Sequence, residues 1–251
     1  MLSRREWNGV VPKDYEENVA YRSWLIEECA RNPALRQVVK QACAEDICFY
    51  VNSFVYQFNP DNIGHEVEPF ILYDFQETAL LGGTDENGEH LWGILECIED
   101  QKDVRWPKSR KMGASWLALC AIDWLDMFHR NKMIGVLSRD EDSVDKIGDP
   151  NSLFWKIDFI HQHLPDWLKG RVQKKKMAFT YDDTQGAIIG EANTPSAFVS
   201  GRAVCILIDE FGQFKNGEET FEMTSDVALC RIFVFTHKDQ SGMAYDLCFD
   251  P

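Results

Sequence analysis

Apolar and polar residues along this chain follow two different spacings, and the change between them divides the sequence. Between residues 15 and 58 the spacing is helical, with Tyr21, Trp24, Leu25 and Cys29 recurring on one face. Asn32-Pro33 interrupts that run, and a proline suits the first turn of the next helix, which continues over 34–43. The strongly apolar stretch 47–58 ends at Asn59-Pro60. This pattern predicts a helical lead-in over residues 1–60, packed on a core domain over 61–251.

Past residue 69 short apolar runs alternate with helical ones. Helices are predicted over 74–82, 90–98, 116–128, 151–168 and 218–226. Extended segments are predicted over 103–106, 133–137, 203–208 and 232–235. A hairpin joins 179–181 to 187–189 around Asp182-Asp-Thr-Gln-Gly186, and 82–88 reads as a loop. Short buried strands separated by helices imply an α/β fold, with a mainly parallel sheet covered on both faces.

Composition narrows the classes. The chain has 251 residues, 45% hydrophobic and 12% aromatic, enough for one sizeable α/β domain and too apolar for bulk disorder. No apolar run reaches the roughly 20 residues of a membrane helix, and the first residues lack an apolar signal core, so a cytosolic location (the host cytoplasm, for a viral protein) is expected. Eight cysteines occur without a CxxC pair, mostly inside apolar runs, which predicts buried reduced thiols. His161 and His163 lack partners at ligand spacing, so no structural zinc is expected. The formal charge of −15 excludes a protein that coats nucleic acid with its whole surface. Any contact with DNA must be local. Two basic clusters exist, at 105–111 and 171–176; the second reads as a solvated loop, with a DNA-facing loop as its alternative.

Two segments carry chemistry. In Cys205-Ile-Leu-Ile-Asp209-Glu210-Phe211 a buried strand ends in adjacent carboxylates. The carboxyl ends of parallel strands line the ligand crevice. There Asp209 can hold Mg²⁺, a hard cation that prefers oxygen, and Glu210 can deprotonate an attacking water. Taken alone, the segment also fits a strand ending in a polar turn. The second segment is Lys108-Ser109-Arg110-Lys111-Met112-Gly113-Ala114-Ser115. It departs from the usual phosphate loop, GxxxxGK[ST]: Lys108 stands at the first glycine and Ala114 at the lysine, while Gly113 and Ser115 match. Gly113 permits close backbone approach, the following helix aims its amides at an anion, and Ser115 can ligate Mg²⁺. Lys108, Arg110 or Lys111 can supply the missing cation. A basic turn before a helix is the plain alternative. Together, the loop about ninety residues before the acidic strand has the order of a P-loop NTPase of the additional-strand, catalytic-glutamate type.

The loop KSRKMGASW resembles the altered phosphate loop of the large terminase subunits of tailed bacteriophages, some of which carry the lysine at the start of the loop, where Lys108 stands. Arg110 matches an arginine common in those loops, and CILIDEF is similar to the family's acidic strand. The stretch 54–60, FVYQFNP, resembles one that precedes the family's ATPase core. Tyr73-Asp-Phe-Gln76 resembles its adenine-contacting motif, in which Gln76 reads the base edge through its amide. Residues 230–236 resemble its coupling strand, although Phe235 and His237 depart from the usual ending, so that only Thr236 carries over as a γ-phosphate sensor. Arg139 and Arg202 compete for the arginine that stabilises the transferred phosphoryl group, a residue often supplied by a neighbouring subunit.

The resemblance implies an ATP hydrolase using ATP and Mg²⁺ to drive double-stranded viral DNA into a procapsid. Its implied partners are the portal protein, the small terminase subunit and further copies of itself in a ring. Family members carry a second, nuclease domain. The 251 residues leave no room for it, so nuclease activity is not expected. A helicase core, or an ATPase-like docking module without turnover, are the rival readings. Ala114 in the lysine position is the feature that supports the second rival.

Overall fold

A computed structural model of the chain describes residues 6–109, 112–194, 202–236 and 242–249. The first three helices each begin at a side chain that satisfies free amides. Asp14 accepts from the N–H groups of Glu16 and Glu17 to open α1 (Tyr15–Arg31). Asn32 does the same for α2 (Pro33–Glu45), with Pro33 in the first turn as its sequence predicts. Asp46 opens α3 (Ile47–Phe54) by accepting from Phe49 N–H at 3.0 Å. Its other oxygen accepts from the backbone N–H groups of Trp7 (3.1 Å) and Asn8 (2.8 Å), which ties down the N-terminal segment.

The buried face of α1 differs from the expected one. Asn18, Arg22, Leu25 and Cys29 point inward, while Trp24 is 55% exposed. The cause is a polar anchor. The Arg22 guanidinium donates to Asn18 Oδ1 (2.7 Å) and to the carbonyls of Val55 (2.8 Å) and Val51 (3.1 Å), and lies over the Tyr56 ring at 4.9 Å. Burial pulls its pKa down to about 10. An arginine can present several donors at once in one plane, and the carbonyls at the end of α3 set where it must sit.

Next, β1 (Tyr56–Phe58) pairs antiparallel with β2 (Val67–Pro69), and α4 (Asp74–Leu81) follows. The helix expected from residue 90 starts later. Within 82–92, β3 (Gly83–Thr84) pairs with β4 (His90–Leu91), and α5 (Ile94–Asp100) begins where Gly93 N–H donates to Glu96. The remaining elements are β5 (Val104–Pro107), α6 (Ala114–Phe128), β6 (Met133–Ser138), α7 (Glu141–Val144), α8 (Leu153–His163), α9 (Asp166–Lys169), β7 (Val172–Lys175), β8 (Ala178–Tyr181), β9 (Gly186–Ala192), β10 (Cys205–Asp209), α10 (Gly217–Ser225), β11 (Arg231–Phe235) and α11 (Met243–Phe249).

Seven strands form the central sheet in the order β5-β11-β10-β6-β9-β8-β7. The first five are mutually parallel; β8 runs antiparallel to β9, and β7 antiparallel to β8. Alternation along β10 and β11 shows both faces covered. Leu207, Ile232 and Val234 join one core with Leu117 of α6, while Ile206, Ile208, Phe233 and Phe235 join a second with Phe221 of α10 and Leu247 of α11. The first core also takes in Leu25, Val39 and Phe49 of the helical lead-in. Strand β11 lies between β5, which leads into the basic loop, and β10, which carries the two acids.

The basic run 171–176, read from sequence as a solvated loop, is largely the edge strand β7, and three of its four charges are already partnered. Arg171 pairs with Asp183 at 2.9 Å, Lys174 with Asp145 at 3.3 Å and with Asp158, and Lys176 with Glu141 at 2.5 Å. Lysines on an edge strand discourage pairing with another chain. No helix among the described residues is long and apolar enough to cross a membrane.

Candidate active site

The parallel strands β5, β11 and β10 end together, and the residues with chemistry gather at that edge. The backbone leaves β5 at Pro107, and Lys108 N–H donates to the Phe235 carbonyl at 2.9 Å, so the start of the basic loop continues the ladder onto the end of β11. Lys108 is partly buried and Ser109 exposed. Arg110 and Lys111 lie outside the described residues. The loop closes at Gly113, which caps α6 with φ +70°, a left-handed conformation that favours glycine. A Cβ there would meet the Gln76 amide nitrogen at 3.1 Å.

Two residues into α6, the Ser115 hydroxyl donates to both carboxylate oxygens of Asp209, at 3.0 and 3.2 Å. This contact joins segments 94 residues apart. Asp209 is buried at the end of β10; burial pushes its carboxyl up, opposed by the charge of Lys108 and the Ser115 hydrogen bond. Two oxygen ligands side by side suit a magnesium ion that keeps part of its hydration shell. Among the described residues there is no group of three or more His, Cys, Asp or Glu placed to hold a metal by themselves.

Glu210 follows with φ +57°, a left-handed conformation that costs a non-glycine residue on the order of 1 kcal/mol. The turn is held by Gln213 N–H donating to the Glu210 carbonyl at 2.8 Å. The Glu210 carboxylate sits 3.3 Å from the Arg139 guanidinium. Arg139 comes from the residue after β6 and also donates to Gln213 Oε1 (3.0 Å) and Ser143 Oγ (3.0 Å). Thr236 stands directly after β11 at the same edge. Arg202 does not join them within this chain. It is exposed and precedes β10, at the opposite edge of the sheet, and five residues of strand place it roughly 17 Å or more from the acids.

Two cavities flank the loop. One, of about 390 Å³, is polar and is lined by Ser115, Ser138, Arg139, Lys156, Asp209 and Glu210, with the 140–153 segment forming its outer wall. The other, of about 650 Å³, lies on the far side of Met112 and Gly113 and is lined by Phe70, Tyr73, Phe75 and Gln76, with Lys13 and Tyr15. The rings of Tyr73 and Phe75 stack, with centroids 5.8 Å apart, and both are exposed. Gln76 is buried: its oxygen accepts from Tyr73 N–H (3.0 Å) and its nitrogen donates to the Met112 carbonyl (3.2 Å). Its amide therefore fixes the loop's position. A network of Asn8, Asn52, Glu77 and Lys13 holds the chain around it, including Leu72 N–H to Asn52 Oδ1 at 2.7 Å and Asn8 Nδ2 to Glu77 Oε1 at 2.8 Å.

Sequence reasoning missed Lys156. Its ammonium, on α8, lies in the field of Asp209 and Glu210, and burial pulls its pKa down to about 8. No motif announces it; a lone lysine in an amphipathic helix carries no spacing signal.

No protein-family model matches the sequence, and no curated protein matches it. Solved structures do. The large terminase of bacteriophage HK97 is similar over 79% of this chain, at 12% identity and a TM-score of 0.53, and the chain spans 39% of that protein's length. The large terminase of the thermophilic bacteriophage D6E matches over 55% of the chain at 10% identity and a TM-score of 0.39, and its complex with ADP at 9% and 0.40. Over most of its length the chain thus has the fold seen in the HK97 large terminase.

Proposed function

We propose that this chain is the ATP-hydrolysing motor domain of a viral genome-packaging terminase large subunit. The observation that carries the reading is the contact of Ser115 with Asp209 at the carboxyl edge of a parallel sheet, beside a glycine-capped helix start. The position of β11 between the loop strand and the acidic strand supports a reading as the additional-strand type of NTPase expected from the order of motifs. The likeness to the HK97 terminase fold supports the packaging assignment.

In this reading the phosphates of ATP lie over the N-terminus of α6, where loop amides and the helix dipole favour an anion. Lys108 and Arg110 neutralise the β- and γ-phosphates, with Ser109, Lys111, Met112 and Ala114 completing the cradle. The base lies in the cavity of Tyr73 and Phe75, whose exposed stacked rings offer a flat apolar surface. Gln76 holds the loop against that cavity. The polar cavity has five lining carboxylates (Asp140, Asp142, Asp149, Asp209, Glu210) against three cations (Arg139, Lys146, Lys156), so a bare nucleotide would be repelled. Magnesium held by Ser115 and Asp209 would offset that charge and the charge of the β- and γ-phosphates. Glu210 accepts a proton from the attacking water, and Arg139 stands where charge develops on the transferred group. Thr236, next to Lys108 at the end of β11, reports loss of the γ-phosphate to the rest of the chain. DNA translocation, the portal, the small subunit and ring assembly belong to the complete packaging machine in this reading.

Replacing Lys108 by alanine is expected to weaken Mg·ATP binding about tenfold or more, the scale of a charge-assisted hydrogen bond. Equilibrium titration of the two proteins with Mg·ATP measures it. An unchanged affinity would move the phosphate role to Arg110 or Lys111. Absence of any binding by the wild-type chain would favour the silent docking module for which Ala114 argues.

A further inference from the structure

Lys156 is a half-buried cation that lacks the carboxylate partner such a group ordinarily has. It lies one turn into α8, and it lines the polar cavity together with Ser152 and Leu153 on the same helix face. Its ammonium donates to the carbonyls of Asn151 (2.7 Å) and Ser152 (3.4 Å). Among the described residues it makes no ion pair within 4.0 Å, whereas Lys146 on the same wall is paired with Asp142 at 2.9 Å. Buried charges are ordinarily paired, because carbonyl dipoles replace only part of the lost hydration. The Asp209 and Glu210 carboxylates lie near enough to favour the charged form, and Lys108 near enough to oppose it. Two lysines from different elements, one on the loop and one on α8, thus converge on the acids at the end of β10.

The two cavities give this convergence a direction. Met112 and Gly113 line the aromatic cavity; Ser115, two residues on, lines the polar one with Asp209 and Glu210. A nucleotide whose base occupies the first presents its terminal phosphate to the second. We propose that Lys156 binds the terminal phosphate of a nucleoside triphosphate, so that this chain itself supplies a cation that distinguishes the triphosphate from the diphosphate. The proposal rests on the nucleotide-site reading above. A diphosphate, one phosphate shorter, leaves Lys156 on its two carbonyls.

The test is calorimetric titration of the whole chain with Mg·ADP and with a non-hydrolysable Mg·ATP analogue, for wild type, Lys156→Met and Lys156→Arg. Lys156→Met is expected to weaken the triphosphate analogue about tenfold and ADP less than twofold, and Lys156→Arg to recover most of the loss. If the lysine only caps the turn before α8, the methionine variant melts earlier and weakens both nucleotides alike, and the proposal is overturned. It is equally overturned if wild type binds both nucleotides and neither variant changes the ratio, and then the nucleotide site stands without Lys156. A wild-type chain that binds neither nucleotide overturns the site and the proposal together.

Discussion

Replacing Glu210 by glutamine is expected to slow steady-state ATP hydrolysis by about a thousandfold while leaving the affinity for Mg·ATP within about twofold. Glutamine keeps the shape of the side chain but cannot take a proton from water. The position is built for one orientation. The backbone holds a left-handed φ of +57° and the Gln213 amide closes the turn, so the carboxylate leaves the strand end toward Arg139 and the cavity. Asp209, by contrast, is buried against Ser115 and is spoken for by that hydroxyl. In the proposed reading the two adjacent acids therefore divide the labour by environment: the buried Asp209 holds the metal and the more exposed Glu210 takes the proton. Turnover undiminished in the variant would remove Glu210 from the base role. Turnover and affinity falling together would mean that the substitution disturbs the site itself.

The largest effect on stability is expected at Arg22, far from the chemistry. Arg22→Ala is expected to lower the unfolding free energy by about 3 kcal/mol, measured by denaturant titration. The loss combines a cavity with an unpartnered Asn18 oxygen and the release of α1 from the end of α3. The Val51 and Val55 carbonyls keep their backbone donors, from Val55 and Phe70 at 3.1 and 2.9 Å, which limits the figure. The conservative change Arg22→Lys should recover little, because one ammonium cannot span the same three acceptors in a plane. A change below about 0.5 kcal/mol would mean that the guanidinium's burial offsets its hydrogen bonds. Because Asn52 of α3 also fixes Leu72, loosening this anchor should reach the Tyr73–Gln76 wall of the aromatic cavity.

How much of this could be read from the sequence depended on whether the signal was local. The runs that became β10, β11 and α6 are apolar over most of their length, so their burial was legible, and the α/β class followed. The turn at Gly113 was legible because a basic run and a glycine stand directly before a mostly apolar stretch. Other features depend on partners distant in sequence. Trp24 looked like a core residue by spacing, yet Arg22 takes the buried position because the carbonyls of Val51 and Val55 are waiting for it. His90 and Leu91 fit a helical pattern but pair with Gly83 and Thr84. Lys174 of β7 suggested solvent, and its partners Asp145 and Asp158 come from α7's end and α8. Lys156 is the sharpest case: its position depends on α8 packing against α6 and β1, which no local pattern encodes. Arg139 and Arg202 competed as sequence, one after a strand and one before the acidic strand, and the direction of β6 and β10 separates them in space.

The central question is whether the edge of this sheet hydrolyses ATP. The measurement that tests it most directly is phosphate release from ATP by the wild-type chain across a range of protein concentrations, with and without Mg²⁺, and with Glu210→Gln as the blank. The account predicts magnesium-dependent release well above the blank, rising in proportion to protein if Arg139 of the same chain suffices and more steeply if a neighbouring copy adds a cation. Release that equals the blank at every concentration, from a folded wild-type chain that binds Mg·ATP, would contradict it.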